Sequence, residues 1–156
     1  MKRFICKAIG LSMAFLLLAG CGGSKSLDID PASAVEEMSK EITFTDQFAA
    51  INEDSANKVY GVDKDLVESC SALAGSGATA ESIAMWKAVD EKSAQKIEEQ
   101  LHTFVDGYIE GYSEYKPEEV PKLKSAIIER KGVYVVLCIS ADNDSAKTVV
   151  DDTLKG

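Results

Sequence analysis

His102 is the only histidine among 156 residues, so any imidazole chemistry must run through it. Glu98, His102 and Asp106 recur every four residues and share one stripe of a helix. Such a stripe can hold a metal ion or move a proton. The same spacing describes the solvated face of an amphipathic helix, and that is the expectation here. A serine-hydrolase triad would need this histidine and a Gly-x-Ser-x-Gly elbow, which the sequence lacks. Asp142-Asn143-Asp144 opens like a calcium loop, but Lys147 stands at its sixth position and Thr153 at its twelfth. A helix cap is the simpler reading. Gly75-Ser76-Gly77 lacks the Lys and Ser/Thr of a phosphate-binding loop and reads as a hairpin turn. These residues predict no catalytic group, no metal site and no cofactor, hence a protein that is not an enzyme.

One aromatic series invites a different chemistry. Phe104, Tyr108, Tyr112 and Tyr115 lie at helical spacing. Rings on one face can wall a groove for a ligand, sugar or peptide. The competing expectation is a core face with hydroxyls at the rim, because Ile97 and Leu101 continue the same stripe. Tyr108, Tyr112 and Tyr115 are the candidate ligand or partner surface.

The chain has four cysteines. Cys21 follows Leu18-Ala19-Gly20, at the end of a basic start (Lys2, Arg3, Lys7) and an apolar run from Ala8 to Leu18. Basic, apolar and small-residue segments in this order define a secretory signal, and the run is too short to span a bilayer. Leu-Ala-Gly-Cys resembles the lipobox of bacterial lipoproteins. That resemblance implies cleavage between Gly20 and Cys21 and a diacylglycerol on the Cys21 thiol, with palmitate-type chains anchoring the protein to the membrane. Two such chains suffice for stable anchorage. Residues 1–20 are therefore expected to be a cleaved signal peptide, and 21–30 a lipidated start and short tether. The expected location is the extracytoplasmic face of the cell membrane.

Cleavage leaves 136 residues, enough for the one domain expected over 31–156. The signal carries three basic residues and no acidic ones, so its loss moves the net charge from −9 to −12. An acidic surface argues against nucleic acid as a partner. Cys6 leaves with the signal. Cys70 and Cys138 remain, a pair that permits one disulfide in an exported protein. Both also lie in apolar runs, where Cys acts as a small buried hydrophobe.

The elements follow from caps and periodicity. Asp30-Pro31 starts a helix carrying Val35, Met38 and Ile42 on one face. Phe44 to Ile51 is a short apolar segment with helical character from Thr45, and Asn52 to Asn57 reads as a loop. Leu66–Ala74 and Glu81–Val89 form a hairpin about Gly75-Ser76-Gly77. Asp90 caps a long helix that Pro117 ends after Tyr115. Ser125–Glu129 and Val133–Ser140 make a second hairpin about Arg130-Lys131-Gly132. The latter strand is apolar on both sides and hence central. A last helix carries Ala146, Val149, Val150 and Leu154 inward. The expected fold is α+β. An antiparallel sheet of about four strands, built as strand-strand-helix twice, carries helices on one face and follows an N-terminal helix.

Four segments follow the signal in this order: Lys58-Val59-Tyr60-Gly61-Val62-Asp63, Ala80-Glu81-Ser82-Ile83-Ala84, Tyr115-Lys116-Pro117-Glu118-Glu119 and Lys131-Gly132-Val133-Tyr134-Val135. In this order they resemble a family of small lipoproteins of Gram-positive anaerobes catalogued only as a domain of unknown function, over Ser55 to Thr153. The resemblance implies a membrane-anchored, extracytoplasmic life and brings no catalytic residue. The expected function is a non-enzymatic binding or protein-interaction module whose partner is an envelope protein. The alternative is a small-ligand binder that uses the tyrosine-bearing helix as a pocket wall.

Overall fold

The computed structural model describes residues 27–156. The signal, Gly20, Cys21 and the start of the tether lie outside these residues. The described chain begins docked on the fold: Tyr134 Oη accepts from the Ile29 N–H at 3.0 Å and donates to Leu27 O at 3.2 Å.

Helix α1 runs Pro31–Glu41. Asp30 caps it by accepting from Ser33 N, and Pro31 takes the first position, where an N–H is not needed. The segment after it departs from expectation. Thr45 to Gln47 are not helical, and a short strand β1 follows at Ala49–Ile51. Asn52–Asn57 is also not a loop, because α2 spans Glu53–Tyr60. Asn52 accepts from Ser55 N, Glu53 and Asp54 complement the helix dipole, and Gly61 ends the helix in the left-handed region (φ 68°).

After a 3-10 turn at Lys64–Leu66 come β2 (Val67–Ala74) and β3 (Ser82–Ala88). Helix α3 follows at Glu91–Tyr115, capped by Asp90 as its sequence predicts. A 3-10 turn (Pro117–Glu119) and the short α4 (Val120–Lys124) lead to β4 (Ile127–Lys131), β5 (Tyr134–Ile139) and α5 (Asn143–Thr153). The second hairpin turns at Gly132-Val133, because β4 extends through Lys131.

The fold is α+β, with a five-stranded antiparallel sheet in the order β1-β2-β3-β5-β4. The fifth strand, absent from the sequence expectation, is β1 at one edge. Helices cover both faces of the sheet rather than one. On the first, Trp86, Val135, Leu137 and Ile139 meet α2 and α3 through Tyr60, Ile97 and Leu101. On the second, Ile83, Met85, Val136 and Cys138 meet α1 and α5 through Val35, Met38, Ala146 and Val150. Successive residues of a strand point to opposite faces, so a sheet covered twice needs strands apolar at every position. β5 meets that requirement throughout, and β3 nearly so. No helix among the described residues is long and apolar enough to cross a membrane.

Candidate functional site

A line of rings runs from the core to the surface. Trp86 meets Tyr60 edge-on with centroids 5.4 Å apart, and Tyr60 meets Phe104 at 5.0 Å. Phe104 lies 4.2 Å from Tyr108, and Tyr108 lies 5.7 Å from Tyr112. Helical spacing puts the last three on one face of α3, while Tyr60, the last residue of α2, packs against Phe104. Two clefts open on this line and share Val59, Tyr60 and Phe104 as a wall. The narrower, about 90 Å³, lies under Tyr108 and Tyr112 beside the β2–β3 loop. The wider, about 260 Å³, is completed by Lys58, Gly61, Gln100 and Thr103.

The three tyrosines part company here. Tyr108 is 36 % exposed and lines the narrow cleft. Tyr112 lines it too, but is half-buried and donates its hydroxyl to Thr79 O at 2.9 Å. Tyr115 is 79 % exposed and stands outside both clefts at the end of α3. Tyr60 is only 2 % exposed. Burial pushes its hydroxyl up to about 12, against a smaller opposing effect of the Ser82 hydroxyl. It therefore enters the clefts as a neutral hydrogen-bonding group at any physiological pH.

The rim of the narrow cleft is held by carboxylates. Asp46 accepts from Ser76 Oγ at 2.7 Å, Ser76 N at 3.0 Å and Thr79 Oγ1 at 3.0 Å. A Cβ at Gly75 would sit 2.6 Å from Asp46 Oδ2 and 2.9 Å from Glu81 O, so only glycine allows this approach. Glu81, buried, accepts from Thr45 N and Thr45 Oγ1 at 2.7 Å, Asp46 N at 3.0 Å and Lys122 Nζ at 3.0 Å. Burial acts to raise its carboxyl, but these donors outweigh it and hold the group below the usual carboxylate range. Glu119 takes the Ala80 N–H at 3.0 Å and a second bond from Lys122. Lys116 Nζ donates to Ala78 O. With every acceptor of Glu81 engaged, this cluster is built to hold a loop still.

The other candidates disperse. Glu98 pairs with Arg130 at 2.6 Å, while His102 and Asp106 are exposed on α3. Asp142 caps α5, accepting from Ser145 N at 3.1 Å. Gly75-Ser76-Gly77 forms the β2–β3 turn, with Gly77 at φ 86°. Cys70 and Cys138 are free thiols on opposite faces of the sheet, and burial pushes each up to about 12. Among the described residues no group of three or more His, Cys, Asp or Glu is placed to hold a metal ion.

Sequence reasoning missed Lys58, Val59, Tyr60, Gln100 and the clamp on Glu81. For the first three a signal was present: Asn52 with Ser55 after it, acids at the next two positions, and Gly61 as the stop. Glu81 carried none, since its partners lie 35 to 41 residues away.

The family described as Domain of unknown function (DUF4358) matches residues 40–140, and the chain belongs to that family. The matched span runs from the end of α1 to the end of β5 and contains all residues of both clefts. No curated protein and no solved structure matches the chain.

Proposed function

We propose that this protein is a membrane-anchored extracytoplasmic lipoprotein whose folded part is a non-enzymatic binding module. Its binding surface is the aromatic groove between the end of α2 and the face of α3. One observation carries the binding half of the reading: Val59 (49 % exposed) and Tyr108 lie beside a groove whose wall is continuous with the core. Large side chains exposed on a fixed support suit recognition, because little is left to order when a partner arrives. The anchorage half rests on the signal and the lipobox-like Leu18-Ala19-Gly20-Cys21.

A partner protein is favoured over a small ligand by size. Ligand pockets hold roughly 300–1,000 Å³, and each cleft falls below that at about 90 and 260 Å³. The second reading, a small ligand laid along both clefts, is favoured by the wall they share. In-cell photo-crosslinking from Tyr108, with Thr148 on the far side of the fold as control, tests the proposal. It predicts one recurrent protein adduct from Tyr108 that Thr148 does not give. Identical adducts from both sites, or none from an exposed Tyr108 probe, would count against it.

A further inference from the structure

We infer that the wider cleft takes the free carboxyl terminus of a partner polypeptide ending in an apolar or aromatic residue; this rests on the groove being a binding surface. The cleft is lined by apolar Val59, Tyr60 and Phe104 together with polar Lys58, Gln100 and Thr103, each wall contributing both kinds. The polar residues have a definite donor and acceptor pattern. Lys58 is exposed and, like several other lysines, forms no ion pair among the described residues, so its ammonium is available to a ligand. Gln100 Oε1 accepts the Asp63 N–H at 3.2 Å, which leaves the amide NH₂ as its free donor. Thr103 spends its hydroxyl proton on Glu99 O at 3.1 Å, so its oxygen offers only lone pairs.

A cation and an amide donor suit a carboxylate, and an acceptor suits an N–H. Beside them lie the apolar groups that would take a side chain. A carboxylate, an N–H and an apolar side chain occur together on the last residue of a polypeptide. An internal apolar residue has no carboxylate, and an internal Asp or Glu has no large apolar group. A basic segment would face Lys58 with like charge. The volume, about 260 Å³, suits one end residue rather than a whole extended ligand.

The test titrates the full chain, as purified from producing cells, with N-acetyl-Ala-Phe. One peptide carries a free carboxylate and the other a terminal amide; amide-resonance shifts and the unfolding midpoint are read. The free acid is expected to bind at least about tenfold tighter than the amide, with shifts centred on Gly61, Gln100 and Thr103. Lys58→Met should abolish the preference, while the midpoint of the unliganded protein falls by no more than the small dipole contribution of an exposed cation in the last turn of α2. Equal binding of the two peptides, or a preference that survives Lys58→Met, would overturn the carboxylate inference and leave the groove reading intact. Binding of neither would also overturn it, and the crosslink from Tyr108 then decides the groove reading alone.

Discussion

Cys70 and Cys138 share an apolar setting but not a side of the sheet. Cys70 pairs with Trp86 across β2 and β3, and Cys138 with Ile83 across β3 and β5. The intervening sheet keeps their sulfurs apart, and a disulfide requires Cβ atoms within about 4.5 Å. Thiol titration of the unfolded, unreduced protein should therefore find both Cys70 and Cys138 reduced, with Cys21 blocked by its proposed lipid. Cys138, fully buried, should react only after unfolding. A Cys70–Cys138 bridge in a peptide map would contradict the sheet order. Glu81 makes a second prediction at this scale. Its folded carboxyl is held low, so its stabilisation is full above the unfolded value and fades as pH falls through the folded one. Glu81→Gln should lower stability by roughly 1–3 kcal/mol, because an amide cannot accept from all four donors that Glu81 satisfies, while Lys122 keeps Glu119. It should also flatten the acid side of a stability–pH curve near and below pH 4.5. The opposite limb belongs to Lys122, whose raised value places its loss above pH 10.5. An unchanged acid limb in Glu81→Gln would show that the clamp does not hold the fold.

At the scale of elements, α3 was the most legible part of the chain and α2 the least. α3 is long and amphipathic and has a cap at each end, so local sequence alone describes it. α2 has eight residues and a weakly apolar inner face, and its burial comes from α3 and β2. Only its caps announced it. β1 was illegible for a related reason, because three residues gain strand geometry by pairing with Leu73 and its neighbours, not from their own pattern. The pattern of β5 was read correctly, yet its consequence for the layers was not drawn. A strand apolar on both sides demands cover on both sides, which α1 and α5 supply. The aromatic stripe was legible as a stripe, whereas the groove was not, since its second wall is α2. α3 also offers a test of its own. Gly107 and Gly111 are exposed, and a Cβ at either would meet nothing within 4 Å. Gly107→Ala and Gly111→Ala should each stabilise the protein by up to about 1 kcal/mol in denaturant titration. A loss of stability in either would mean that the helix bends or packs at that glycine.

At the scale of the molecule, the described fold is a sheet covered on both faces that supports the groove at one edge. Two cores on either side of one sheet hold α1, α3 and α5 in place, and the carboxylate clamp ties the β2–β3 loop to both the segment after α1 and the turn after α3. The groove opens where α2, α3 and that loop meet. The proposed anchor would join this fold through a very short link, since Leu27 is already bonded to Tyr134 only six residues after Cys21. Six residues reach at most about 21 Å when fully extended. The domain would therefore work close to the bilayer, against partners that are themselves at the membrane or in the first layer above it. The most direct test of this account is intact-mass and N-terminal peptide analysis of the protein taken from the cell envelope. The expected chain begins at Cys21 and carries a diacylglycerol on its sulfur. A chain that keeps residues 1–20, or one that carries an unmodified Cys21, would contradict it.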